Sequence, residues 1–209
     1  MKNLPHKTIE RLSQYRRALL DCLSNGKTHI FSHELAKLQH ITAVQVRRDL
    51  MLIGYTGTLR KGYNVQELVD LIGTIIDSED GINVAVVGMG NLGRALYKYF
   101  SGKRTKLSIV ATFDKRFEKI NEEFPGVQCY STQDMEEVIR EKKVDVGIMA
   151  VPAEVASQIA EKLVAAGVKG ILNYTPKPVN VPKNVYLEEY DMITSLEKVA
   201  YFVKNQDNH

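Results

Sequence analysis

The chain has 209 residues, 44% hydrophobic and 25% charged, with a formal net charge of +3, a composition that suits a globular protein with one or two buried cores. No apolar run approaches the roughly 20 residues of a membrane helix, and the opening MKNLPHKTIERL holds no apolar signal core, so a cytoplasmic protein with no membrane partner is expected. Cys22 and Cys129 stand alone, outside any CxxC spacing, which argues for a reducing compartment and against a metal site.

The charge is unevenly spread. Through Tyr63 the chain carries 11 Lys and Arg against 4 Asp and Glu, a net of +7; the remainder carries 17 against 21, a net of −4. A basic first third fits either a polyanion partner or a solvated basic face.

In chain order, Thr8 to Leu23 places Ile9, Leu12, Leu19, Leu20 and Leu23 near one helical stripe. Ser32 to Leu38 reads as a short helix with Ser32 as its N-cap. His40 and Ile41 form a tight turn, and Thr42 opens a helix to about Ile53, with Thr42 and Gln45 at capping-box spacing. Gly54, Gly57 and Gly62 punctuate a hairpin. Asn64 and Glu67 open a linker helix to about Ile76, and SEDG at Ser78 to Gly81 marks the domain boundary. Short apolar strands then alternate with helices: strands at Ile82–Val87, Ser108–Phe113, Val127–Tyr130, Val144–Val151, Gly170–Tyr174 and Val185–Tyr190, with helices at Asn91–Phe100, Asp134–Lys142, Ala153–Ala166 and Thr194–Lys204. This alternation predicts a Rossmann-type parallel sheet covered on both faces. The domains expected are 1–80, a winged helix-turn-helix with its linker helix; 81–190, the Rossmann domain; and 191–209, a C-terminal dimerisation helix.

Gly88, Met89, Gly90, Asn91, Leu92 and Gly93 spell GxGxxG between a strand and a helix, and Asp114 ends the next strand. Gly88 permits the tight turn, Gly90 the approach of a pyrophosphate, and Gly93 close packing of helix on strand. Asp114 would accept from the adenosine ribose, favouring NAD(H) over its 2′-phosphorylated form, while Lys115 and Arg116 could receive a phosphate. Val151 and Pro152 fall at a strand's carboxyl end, where ligands of open α/β sheets bind. The same stretch is similar to the CoA-binding domain of acyl-CoA ligases, so CoA is the rival ligand. All five histidines lie outside 82–208, and with no second substrate domain, binding without turnover fits better than hydride-transfer catalysis; no catalytic residue is assigned. A small Rossmann enzyme or CoA-binding subunit with a basic appendage is the alternative.

On the helix from Thr42, Ala43, Val46, Leu50 and Ile53 form the inward stripe, leaving Gln45, Arg47 and Arg48 outward. Preceded by a short helix and tight turn, this is the pattern of a helix that enters the major groove of double-stranded DNA. Arg60 and Lys61 on the glycine-rich hairpin would form the wing.

Together, TAVQVRRDL at Thr42–Leu50, GMGNLG, the aspartate-ended strand, AVP at Ala150–Pro152 and GVKGILNY at Gly167–Tyr174 resemble the redox-sensing repressor family Rex over nearly the whole chain. The resemblance implies a homodimer with its last helix swapped onto the partner's winged helix, binding operator DNA when free or NAD+-bound and releasing it on binding NADH. It also implies that Arg17, Tyr99 and Asp191 exchange partners when the nicotinamide is reduced. Two departures stand out. The family wing reads G-x-R-G-x-G-Y, but Gly57–Tyr63 is GTLRKGY, with Leu59 in place of Arg and Arg60 in place of Gly. Met192 replaces an aromatic residue.

Overall fold

A computed structural model describes residues 4–58, 60–102, 106–124 and 126–206. The chain divides into two compact units, Met1–Ser78 and Glu79–His209.

The first unit contains α1 (His6–Ser24), β1 (His29–Ile30), α2 (Ser32–Leu38), α3 (Ala43–Leu52), β2 (Tyr63–Asn64) and α4 (Val65–Ile76). Its core joins Leu12, Tyr15 and Leu19 of α1 to Leu35 of α2, Val46 and Leu50 of α3, and Leu68 and Ile72 of α4. The α1 stripe differs from the expected one: Ile9 and Leu20 are exposed and Tyr15 is fully buried, because Leu12, Tyr15 and Leu19 keep the strict i, i+3, i+7 spacing. Ser32 is not the cap of α2. Phe31 holds the N-cap position, and Glu34 accepts from its backbone N–H at 2.8 Å. Thr42 does cap α3, its hydroxyl accepting from the Gln45 N–H at 3.2 Å. The turn between α2 and α3 passes through His40 at φ 53°. Strands β1 and β2 pair antiparallel, and a bridge between Thr58 and Gly62 closes the hairpin beyond them; Leu59 lies outside the described residues.

One charged side chain enters this core. Asp49 lies on the buried face of α3 with no exposed surface. It accepts from Arg11 Nε at 2.6 Å and Nη2 at 2.7 Å, from the Tyr15 hydroxyl at 2.7 Å and from Gln45 Nε2 at 3.0 Å. A second bidentate pair, Arg16 with Asp77 at 2.8 and 2.7 Å, ties α1 to the residue after α4.

The second unit contains β3 (Ile82–Val87), α5 (Asn91–Phe100), β4 (Leu107–Phe113), α6 (Phe117–Glu123), β5 (Cys129–Tyr130), α7 (Met135–Glu141), β6 (Val146–Met149), α8 (Ala153–Ala166), β7 (Gly170–Asn173), β8 (Tyr186–Glu189) and α9 (Met192–Gln206). All six strands are parallel, in the order β5-β4-β3-β6-β7-β8. Along β3, Ala85 and Val87 face the cluster that includes α7 and α8, and Val84 and Val86 face the one that includes Ile120 of α6 and Leu96 of α5. This period-2 split covers both faces of the sheet. Helix α6 has no counterpart among the sequence-based elements: it is seven residues long with only Ile120 buried, too short to show a stripe. Helix α9 is exposed throughout its described side chains, with Leu196 at 70% and Phe202 at 60%. Among the described residues no helix is long and apolar enough to cross a membrane, and no group of three His, Cys, Asp or Glu could hold a metal ion.

Burial pushes the Asp49 carboxyl up, but the hydrogen bonds from Arg11, Tyr15 and Gln45 together outweigh it and hold the group below the usual carboxylate range. A pKa depressed by folding stabilises the fold above the unfolded value of about 4, and that contribution is lost as pH falls through the folded value. Asp49→Ala is expected to cost about 3 kcal/mol in urea unfolding at pH 7, the scale for stranding one partner of a buried pair. The gap from the parent chain should stay constant from about pH 5 to 8 and narrow below about pH 4. A constant gap down to pH 3 would mean the carboxylate charge is not what the fold uses.

Candidate functional site

The sheet of the second unit runs from β3 outward through β4 and β5 on one side and through β6, β7 and β8 on the other. The switch point therefore lies between β3 and β6, at the carboxyl ends of the strands. Residues Gly88–Gly93 sit there. Gly88 has φ 92°, and a Cβ on it would overlap the Ala150 carbonyl and press on Val151. A Cβ on Gly93 would overlap the Gly88 carbonyl oxygen. Both positions are closed to any side chain. Gly90 is the opposite, with nothing within 4 Å of a Cβ there, so the backbone faces open space. No side chain caps α5 at Gly90, and the N–H groups of its first turn carry the partial positive charge of the helix end.

Asp114, 8% exposed, ends β4 beside this loop. Its Oδ2 accepts from the Met89 N–H and its Oδ1 from the Arg116 N–H, each at 2.9 Å. Two of about four acceptor sites are thus used to fix the carboxylate, and the others remain for a ligand hydroxyl. The Arg116 guanidinium folds back to 3.7 Å from Asp114; Lys115 is exposed. Val151 and Pro152 follow β6, with Pro152 at the N-cap of α8. Arg94, absent from the sequence-based candidates, donates from Nε to the Met89 carbonyl at 3.0 Å and from Nη2 to Glu123 at 3.0 Å. It clamps the glycine-rich loop to α6, and its signal in the sequence was its place in the first turn after Gly93.

Tyr99 is exposed on α5 and meets Phe100 edge-on at 5.3 Å. Asp191 caps α9: Oδ1 accepts from the Ile193 and Thr194 N–H groups at 2.9 and 3.1 Å, and Oδ2 from the Thr194 hydroxyl at 2.5 Å. Those bonds, the Thr194 hydroxyl first, hold its carboxyl below the usual range. Met192 is exposed beside it. In the other unit Arg17 is exposed on α1.

On α3, Arg47 and Arg48 are exposed, as are Thr42 at the cap and Val44 between them. Gln45 departs from the outward orientation expected of it. Its side chain amide donates to Asp49, because a buried carboxylate draws the nearest available N–H donor, here one helical turn away. Arg47 reaches across to α2 and donates from Nη1 to the Ser32 hydroxyl at 3.1 Å. Arg60 and Lys61 are exposed at the hairpin, and the Lys61 N–H donates to Thr58 Oγ1 at 3.2 Å. The Asp49 cluster also escaped the sequence reading, although an acid among Val46, Leu50 and Ile53 was a visible anomaly.

Comparison with known proteins covers both units. Residues 3–50 match the family model "Putative DNA-binding protein N-terminus", and residues 79–177 match "CoA binding domain". The redox-sensing transcriptional repressor Rex of Carboxydothermus hydrogenoformans is 39% identical over 96% of this chain and 97% of its own length. That of Listeria welshimeri is 37% identical over 97% and 94%. Among solved structures, RSP in complex with β-NAD+ and operator DNA superposes with a TM-score of 0.89 at 32% identity, covering 100% of this chain and 95% of that one. RSP in complex with β-NADH gives 0.84 at 31% identity, covering 100% and 97%. At this identity over nearly its full length, the chain belongs to the Rex family of redox-sensing transcriptional repressors.

Proposed function

We propose that the protein is a homodimeric repressor that binds operator DNA when free or loaded with NAD+, and lets go of it when NADH binds. The observation that carries this reading is the open backbone at Gly90, placed at the switch point between two glycines that admit no side chain. It fits a pyrophosphate, and it is joined in one chain to a helix presenting Arg47 and Arg48. The complexes of RSP with β-NAD+ and operator DNA and with β-NADH support both halves. A repressor of this kind acts in the cytoplasm, where the DNA is.

The residues present suit the nucleotide. The N–H groups from Gly88 to Gly93 would hold the pyrophosphate, the free acceptor sites of Asp114 the adenosine ribose, and Lys115 and Arg116 would line the same end. Val151 and Pro152 would flank the nicotinamide side. The nucleotide supplies a change of charge and shape between its oxidised and reduced forms; the chain contributes only binding. Across α3, Arg48 would read base edges from the major groove, with Arg60 and Lys61 on the wing and Thr42 at the helix start. The apolar face of α9 would be covered by the partner subunit in a swapped dimer, setting two recognition helices about 34–36 Å apart. Arg17, Tyr99 and Asp191 would form the exchange that couples nicotinamide state to that spacing. Because Asp191 already fills three of about four acceptor sites at the start of α9, a two-pronged guanidinium donor there would compete with the cap and so act on the helix itself.

The match of residues 79–177 to a CoA-binding model favours one second reading, a CoA ligand in the same cradle. Asp114 weighs against it, since CoA carries a phosphate on the ribose that the carboxylate would face.

Genomic fragments retained by the protein at ~0.15 M salt, where non-specific binding is weak, should be released by NADH and not by NAD+, with a coupling of about 5- to 150-fold. Equal release by the two nucleotides, or tight binding of CoA without effect of NADH, would overturn the reading. Gly93→Ala should abolish the NADH response while the retained DNA stays bound. Leu196→Glu with Val199→Glu should sediment as a folded monomer; a persisting dimer would move the subunit interface away from α9.

A further inference from the structure

In the first unit an open cleft of about 390 Å³ lies between α3 and the hairpin. Phe31, Met51 and Tyr63 line it with apolar surface, Ser32 and Thr56 with hydroxyls, and Arg47 with a guanidinium. We propose that this cleft is a seat for the DNA backbone, a single phosphodiester with its flanking sugar, and that Arg47 is its phosphate ligand and not a reader of bases. The inference rests on the DNA-binding reading above and assigns a site within it.

The argument is first geometric. The major groove and the neighbouring minor groove are separated by one sugar–phosphate strand. A helix lying in the one and a wing reaching toward the other must straddle that strand, and whatever lies between helix and wing must accept it. Here the space between them is this cleft. Its chemistry matches a backbone segment, since deoxyribose offers an apolar face to Phe31, Met51 and Tyr63 and the phosphate offers anionic oxygens to Arg47.

The second argument is the state of Arg47. The Ser32 hydroxyl accepts one of its N–H groups, which aims the guanidinium along the wall between α2 and α3. Four of its five donors are left, and the Ser32 O–H is itself free to donate to the same phosphate. Arg47 is also near enough to Tyr63 to oppose the rise that burial imposes on that phenol. A side chain drawn sideways to α2 in this manner is turned from the base edges. Arg48, exposed one residue on, is left as the base reader of the pair. Charge complements the occupant: Arg60 and Lys61 are exposed on the hairpin whose Thr58 and Gly62 line the cleft, in a segment whose net charge is +7.

The test uses the full chain and a duplex that it selects from a random-sequence pool. With Arg47→Gln, the slope of log K against log salt should shrink by about 0.9 for each half-site. Affinity for the selected duplex and for a scrambled one should fall by the same factor, leaving the ratio unchanged. Arg47→Lys should restore the slope, because the charge displaces the counterion. A scan in which each phosphate in turn is made a neutral methylphosphonate should find one position per half-site that weakens the parent chain and leaves Arg47→Gln unaffected. An unchanged slope, or a loss confined to the selected duplex, would overturn the assignment while leaving the repressor reading intact. If the parent chain selected no duplex at all, both would fall together.

Discussion

The first unit depends on one carboxylate that has no contact with solvent. Asp49 sits on the inner face of α3 and takes hydrogen bonds from Arg11, Tyr15 and Gln45, which use all of about four acceptor sites it has. A buried ion pair of this kind adds little net stability over a well-packed apolar contact, since desolvation offsets most of the attraction. What it adds is direction. An apolar stripe tolerates rotation of a helix by some degrees, whereas two charge-assisted bonds to a guanidinium fork do not. Arg47 and Arg48 precede Asp49 directly in sequence, so the angle at which they leave the surface is set by the bond behind them. The same carboxylate draws Gln45 away from the outward face, leaving Arg47 and Arg48 exposed there.

The nucleotide half is built on a different constraint, contact between backbones. Gly88 and Gly93 are held by the carbonyls of Ala150 and Gly88 at distances no side chain permits. The helix end and the two central strands therefore form one rigid corner. Asp114 and Arg94 fasten the loop from either side, one through the Met89 N–H and the other through its carbonyl. Only Gly90 lies open. Such a corner is rigid before any ligand arrives, and binding then costs little ordering.

How much of this could be read beforehand follows the same division. The sheet was legible because its inner strands, β3 and β6 above all, are largely apolar runs and its glycine motif has a geometric cause. The order and direction of all six strands agree with a Rossmann-type reading. Elements fixed by side chains meeting across sequence were not legible. Asp49 and Arg11 lie 38 positions apart, and nothing in a single sequence joins them. Helical phase alone puts Gln45 outward; a bond to Asp49 turns it inward. Ser32 looked like a cap because of its residue type, but Glu34 reaching back to Phe31 satisfies that end of α2, and Ser32 is used by Arg47 instead.

The proposed exchange falls instead at the start of α9, outside both of these cores. Its cap, Asp191, is exposed, and among the described residues its carboxylate accepts from Ile193 and Thr194 of its own helix. An N-cap contributes a modest share of a helix's stability, comparable with a coupling between two binding sites. In the proposed exchange, a donor that takes Asp191 from Thr194 would act on the start of α9 without unfolding the core. The core-facing carboxylate of α3 could not serve in that role: removing a partner from Asp49 costs several kcal/mol, more than any nucleotide's difference between two forms is asked to supply. The buried acid of α3 and the exposed acid at the start of α9 thus differ in what a change of partner would cost.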